Sequence, residues 1–157
     1  MTDNRRTDRA SRQIKASPHA IYRAFTDPAA LVVWLPPDGM SGEMFAFDLR
    51  PGGHYRMALR YDDAAIAGKS GDNADVVEAR FLDLVPDEKV VQAVDFVSDD
   101  PQFAGTMIMS WVLVPHGAET EVQIIAENVP PGVSKADHDD GLRSSLENLA
   151  RYVEARS

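Results

Sequence analysis

Phe45-Ala46-Phe47-Asp48-Leu49-Arg50-Pro51-Gly52-Gly53-His54-Tyr55-Arg56-Met57-Ala58-Leu59-Arg60-Tyr61 decides the architecture. Pro51 fixes φ at the first corner of a turn, and Gly52 permits the positive φ that the second corner requires. On its C-terminal side Tyr55, Met57, Leu59 and Tyr61 alternate with His54, Arg56, Ala58 and Arg60, a period of two that predicts a strand with one apolar face. On its N-terminal side, from about Ser41, Phe45, Phe47 and Leu49 share one parity and Met44, Ala46 and Asp48 the other. The segment is a hairpin, and its apolar face needs a cover.

Further hairpins follow. Asp62 to Ala74 reads as a loop around Gly68-Lys69-Ser70-Gly71, and Val76–Val85 and Lys89–Val97 flank the turn Pro86-Asp87-Glu88. Thr106–Val114 and Thr120–Glu127 flank Pro115-His116-Gly117, in two strands rich in β-branched and large apolar residues. Upstream, Ser17-Pro18 and Asp27-Pro28 each place an N-cap before a first-turn proline. They predict two short helices, one carrying Ile21, Ala24 and Phe25, the other ending at Trp34 before Pro36-Pro37. Downstream, Ser134 caps a long helix in which Leu142, Leu146, Leu149 and Val153 recur at helical spacing. This is the only long amphipathic element, so it should lie across the sheet. The expected class is α+β: about seven antiparallel strands, two short helices after the first, and one long C-terminal helix.

Composition bounds the chemistry. The chain has 157 residues and no cysteine, which excludes disulfides, thiolate nucleophiles and Cys-type zinc sites. A net charge of −9 disfavours a nucleic-acid partner. No apolar run approaches a membrane span, and the charged N-terminus is no secretory signal, so a cytoplasmic location is expected. Residues 1–8 are expected to be a flexible tail and 9–157 one domain.

Ala16-Ser17-Pro18, Thr26-Asp27-Pro28, Trp34 with Pro36-Pro37, Phe47 through Gly53, Pro86 through Val91, Gly117 through Val122, and Gly141 with Leu149-Ala150 occur in one characteristic order. In this the chain resembles the activator-of-heat-shock-protein-90-ATPase homologue domain. That family belongs to the helix-grip superfamily of START-like lipid-transfer domains and polyketide cyclases. The resemblance runs from about Arg12 to Val153, although Leu142 stands where relatives commonly have Trp. It implies a curved sheet gripping the last helix around a hydrophobic cavity, with no resident cofactor and rarely a catalytic set. The eukaryotic activators carry a separate N-terminal domain, where only a short tail is seen here, so chaperone activation is not the expected role.

Parity then nominates cavity walls: Trp34, Tyr55, Met57, Met109, Trp111, Leu142 and Leu149, with Tyr55, Gln92 and His138 as polar groups that orient a ligand. The inward set Val90, Gln92, Val94 and Phe96 rests on the family register. No catalytic residue is assigned: there is no Gly-x-Ser-x-Gly and no His-Glu-x-x-His. Gly68-Lys69-Ser70 lacks the upstream glycine and the following helix of a phosphate loop. Asp137-His138-Asp139-Asp140 has ligand residue types, but consecutive helical residues diverge, so no metal is expected. The expected function is binding of a small hydrophobic molecule. The alternatives are a cyclase or hydrolase in which His138 or Tyr55 moves a proton, and a chaperone-associated regulator. Ile108, Val112, Val114 and Ile125 fall on the outer face, which nominates a homodimer surface.

Overall fold

In the computed structural model, which describes residues 6–155, the elements run β1 (Asp8–Ile14), α1 (Pro18–Phe25), α2 (Pro28–Trp34), β2 (Met40–Phe47), β3 (His54–Tyr61), β4 (Ala74–Val85), β5 (Lys89–Phe96), a 3-10 turn (Pro101–Phe103), β6 (Met107–His116), β7 (Glu119–Glu127) and α3 (Lys135–Glu154). The strands form one antiparallel sheet in the order β1-β7-β6-β5-β4-β3-β2. The 20-residue α3 lies across it. This is the helix-grip α+β architecture expected. Among the described residues no helix is long and apolar enough to cross a membrane.

Local chemistry places each element. Ser17 Oγ accepts from Ala20 N and Asp27 Oδ1 from Ala29 N, so both short helices start at the expected caps. Ser134 Oγ accepts from Asp137 N and starts α3. Gly52 adopts φ +83°, and Gly53 N donates to Arg50 O at 2.8 Å, closing the predicted turn. Gly52 N also donates to Phe81 O, which docks that turn on β4.

Two expectations need correction. Phe45, Phe47 and Leu49 do not share a face: Met44 pairs with Met57 and Ala46 with Arg56, so Phe45 is the extra residue of a bulge and is 50% exposed. The bulge inverts parity, so Met44 and Phe47 both face inward, while Leu49 lies beyond the strand. The boundary expected between Asp8 and Arg9 falls inside a strand, because β1 begins at Asp8, a buried residue paired with Ala126. Residues 1–5 of the expected tail lie outside the described residues.

The α3 stripe Leu142, Leu146, Leu149 and Val153 is buried as predicted. One end of the interface is solid. Phe25, Trp34 and Trp111 pack edge-on, with centroids 4.9 to 5.6 Å apart, and Trp34 Nε1 donates to Ala24 O at 3.0 Å. Further along, sheet and helix diverge and leave space.

Candidate functional site

That space is a cavity of about 610 Å³ between the sheet, the start of α3 and the Leu35–Met40 segment. Its walls are mostly apolar: Leu59 from β3, Val77 from β4, Val94 from β5, Met107 and Met109 from β6, and Leu142 from α3. Antiparallel pairing puts these side chains on one face because each strand contributes alternate residues.

Of the residues nominated from sequence, Tyr55, Gln92, Met109, Trp111, His138 and Leu142 line the cavity. Trp34, Met57 and Leu149 do not; each is wholly buried in packed core. Trp34 is turned into the aromatic cluster by its bond to Ala24. Met57 is held beneath α2 and β2, where a Cβ added to Gly42 would come within 2.5 Å of its Cε. Leu149 sits where α3 touches the sheet directly. Parity identifies the face a residue occupies, but the divergence of sheet and helix decides whether that face meets space or atoms.

Two polar side chains stand deep in the cavity. Tyr55 is 3% exposed and Gln92 5%. Gln92 Nε2 donates to the Tyr55 hydroxyl at 3.5 Å, a long bond. Tyr55 pairs with Ala79, whose methyl leaves space above the sheet, and its ring lies against Phe47 and Phe81. Burial pushes the Tyr55 hydroxyl up to about 12, slightly offset by the bond from Gln92. It is therefore a neutral hydrogen-bonding group and not a ready base.

A second polar set was missed from sequence. Asp75, 4% exposed, accepts from Tyr61 Oη at 2.7 Å, from Lys69 N at 2.6 Å and from Lys69 Nζ at 2.8 Å. The Lys69 ammonium also stands 5.4 Å from the centroid of Phe96 and 5.9 Å from that of Phe103. Burial, then the bond to Asp75 and the charges of Asp75 and Asp137, raises the Tyr61 hydroxyl well above its ordinary value. Tyr61, Lys69 and Asp75 all border the cavity. Tyr61 shares the parity of Tyr55 in the β3 alternation, but nothing local marks it as the partner of Asp75. Lys69 falls in the loop predicted from Asp62 to Ala74, and nothing local reveals that this loop folds back onto β4.

His138 meets the third polar feature. Its Nδ1 lies 2.7 Å from Asp8 Oδ2, and Asp8 also accepts from Arg6 Nε at 3.0 Å. Burial alone would raise the Asp8 carboxyl, but the bonds from Arg6 and His138 and their charges outweigh it and hold the group below its ordinary value. With Nδ1 committed to a carboxylate, Nε2 is the ring nitrogen left without a partner among the described residues.

Known proteins agree with this architecture. The chain is 32% identical to protein CV1439 from Chromobacterium violaceum, with a TM-score of 0.84 over 94% of this chain and 96% of that one. It is 27% identical to the Mll3558 protein from Rhizobium loti, with a TM-score of 0.72 over 94% and 96%. Protein NE0264 from Nitrosomonas europaea, 18% identical, shares the fold with a TM-score of 0.74 over 99% and 98%. No curated protein matches the chain. The family described as activator of Hsp90 ATPase homolog 1-like protein matches residues 15–154, nearly the whole of the folded region. The chain belongs to the activator of Hsp90 ATPase homolog 1-like family.

Proposed function

We propose that the chain binds a small, largely apolar organic molecule between its sheet and α3. The observation that carries this reading is the 610 Å³ cavity itself, apolar along its walls and polar at a few points. Burial of apolar ligand surface, at roughly 25 cal/mol per Å² before association costs, supplies the driving force. Met109, Trp111 and Leu142 act as walls, and Tyr55, Gln92 and His138 orient the ligand. Native mass spectrometry and calorimetry against lipid, aromatic and polyketide panels should reveal a bound species. Absence of binding across all three panels would remove the proposal.

The Asp8–His138 contact favours a second reading, an enzyme of cyclase or hydrolase type. A buried carboxylate fixing Nδ1 leaves Nε2 as a proton acceptor at the cavity wall. His138→Ala should then abolish turnover while weakening ligand affinity far less; retained turnover would dismiss His138 as the base.

We also propose self-association through the outer face, where Ile108, Val112, Val114 and Ile125 are half-buried in the single chain. Equilibrium sedimentation showing only monomer at high concentration would end that idea.

A further inference from the structure

The deepest polar groups of the cavity are incompletely bonded, and their surplus has a definite composition. Tyr55 and Gln92 share one long hydrogen bond and have no other side-chain hydrogen-bond partner among the described residues. With Gln92 Nε2 donating to the Tyr55 oxygen, the pair retains two donors, the phenolic O–H and the second amide N–H, and one acceptor, Gln92 Oε1. Turning the amide over preserves both kinds of capacity: the phenol then donates to Oε1, two amide N–H groups remain, and the phenolic oxygen can accept. Buried groups of this kind are costly when left unpaired, so whatever occupies this end of the cavity is selected for matching them.

A hydroxyl group, with two lone pairs and one proton, complements two donors and one acceptor. A carbonyl or ether has no proton for the remaining acceptor. A carboxylate or ammonium is disfavoured for another reason: Phe47 and Phe81 flank Tyr55, and Met109 pairs with Gln92 in the next strand. Among the described residues no charged side chain bonds to Tyr55 or Gln92 to offset the desolvation of an ion there. The charged pair Lys69 and Asp75 lies further along the sheet: Asp75 pairs with Leu59, four residues along β3 from Tyr55 and so roughly 13 Å away.

We propose that Tyr55 and Gln92 form a receptor for one neutral hydroxyl group, so that the ligand is an apolar phenol or alcohol inserted hydroxyl first. This rests on the cavity being a ligand site and narrows the class of molecule it takes.

Isothermal titration of the full chain with 2-naphthol, 2-methoxynaphthalene and naphthalene tests it. The same apolar body is presented with a hydroxyl, with an oxygen lacking its proton, and with neither. 2-Naphthol should bind at least about tenfold more tightly than either analogue, the discrimination expected when a buried polar site meets a ligand lacking its partner. Tyr55→Phe and Gln92→Leu should each bring the three affinities to within roughly threefold, with naphthalene itself little changed. Equal binding of all three probes by the unaltered chain overturns the hydroxyl receptor and leaves the cavity as an unselective apolar site. Equal binding of 2-naphthol and 2-methoxynaphthalene also overturns it, because the proton would then be unread. If no probe binds, the hydroxyl receptor is overturned, whereas the cavity reading falls only if the lipid, aromatic and polyketide panels also show no binding. The ranking by the unaltered chain decides the matter even if a variant fails to fold.

Discussion

His138 Nδ1 and Asp8 Oδ2 stand 2.7 Å apart, although 130 residues separate them in the chain. The contact ties the first strand to the first turn of α3, at the point where that helix borders the cavity. Arg6 reinforces it from one side, and its guanidinium also donates to the Val133 carbonyl just before the helix cap. One buried carboxylate thus joins β1 to the start of α3 beside the site.

Asp8→Ala should destabilise the fold by about 1–3 kcal/mol, the cost of stranding the donors of Arg6 and His138. Urea unfolding at neutral pH measures it. The folded carboxyl is held below its ordinary value of 3.8, so its contribution is present above that value and lost as pH falls through the lowered one. The difference between the native chain and Asp8→Ala should therefore shrink steadily below pH 3.8. A difference that is constant with pH would show that the charge of Asp8 contributes nothing.

Gly141 lies on α3 at the cavity wall, and a Cβ placed there would find only Pro37 Cγ, at 3.9 Å. Gly141→Ala should stabilise the fold by about 0.5–1 kcal/mol, because alanine loses less backbone freedom on entering a helix. Gly141→Leu should keep the fold but project into the cavity and weaken binding of any ligand by at least about tenfold, the loss expected from a filled apolar site. Thermal unfolding and calorimetry separate the two effects.

Trp34→Ala and Met109→Ala should differ. Trp34 is enclosed by Phe25 and Trp111, so its loss leaves a cavity in solid core and should cost about 3–5 kcal/mol. Met109 is half-buried and already faces the cavity, so its truncation removes fewer contacts and should cost less, on the order of 1–2 kcal/mol. Equal losses in urea unfolding would mean that Met109 is packed as tightly as Trp34.

The tyrosines should titrate late. Burial raises Tyr55 to about 12, and burial together with Asp75 raises Tyr61 above its ordinary value. A group held neutral by folding supports the fold below its ordinary value of 10.0 and ceases to do so as pH rises through the folded one. Phenolate absorbance should therefore show Tyr55 and Tyr61 ionising above pH 10.0, together with loss of structure, and Tyr61→Phe should remove one late step. Ionisation of both at their ordinary value, with the fold intact, would contradict their burial.

Elements that arise from neighbouring residues were legible in the chain alone. The Ser17-Pro18, Asp27-Pro28 and Ser134 caps, the Pro51-Gly52 turn and the period-two strands require only local backbone preferences and hydrophobic period. The inward faces of β3, β6 and α3 followed from them, and Tyr55, Met109, Trp111, His138 and Leu142 line the cavity, as does Gln92, whose face came from the family register. Three things were decided only by tertiary structure. The bulge at Phe45 inverted one strand's parity, because an unpaired residue has no signature in an alternating apolar run. Trp34, Met57 and Leu149 became solid core, because whether an inward residue meets space depends on how far sheet and helix diverge. Asp8 with His138, and Asp75 with Lys69 and Tyr61, were joined by the fold across sequence gaps that no periodicity spans, since side-chain chemistry acts over a few ångströms of space whatever the distance along the chain.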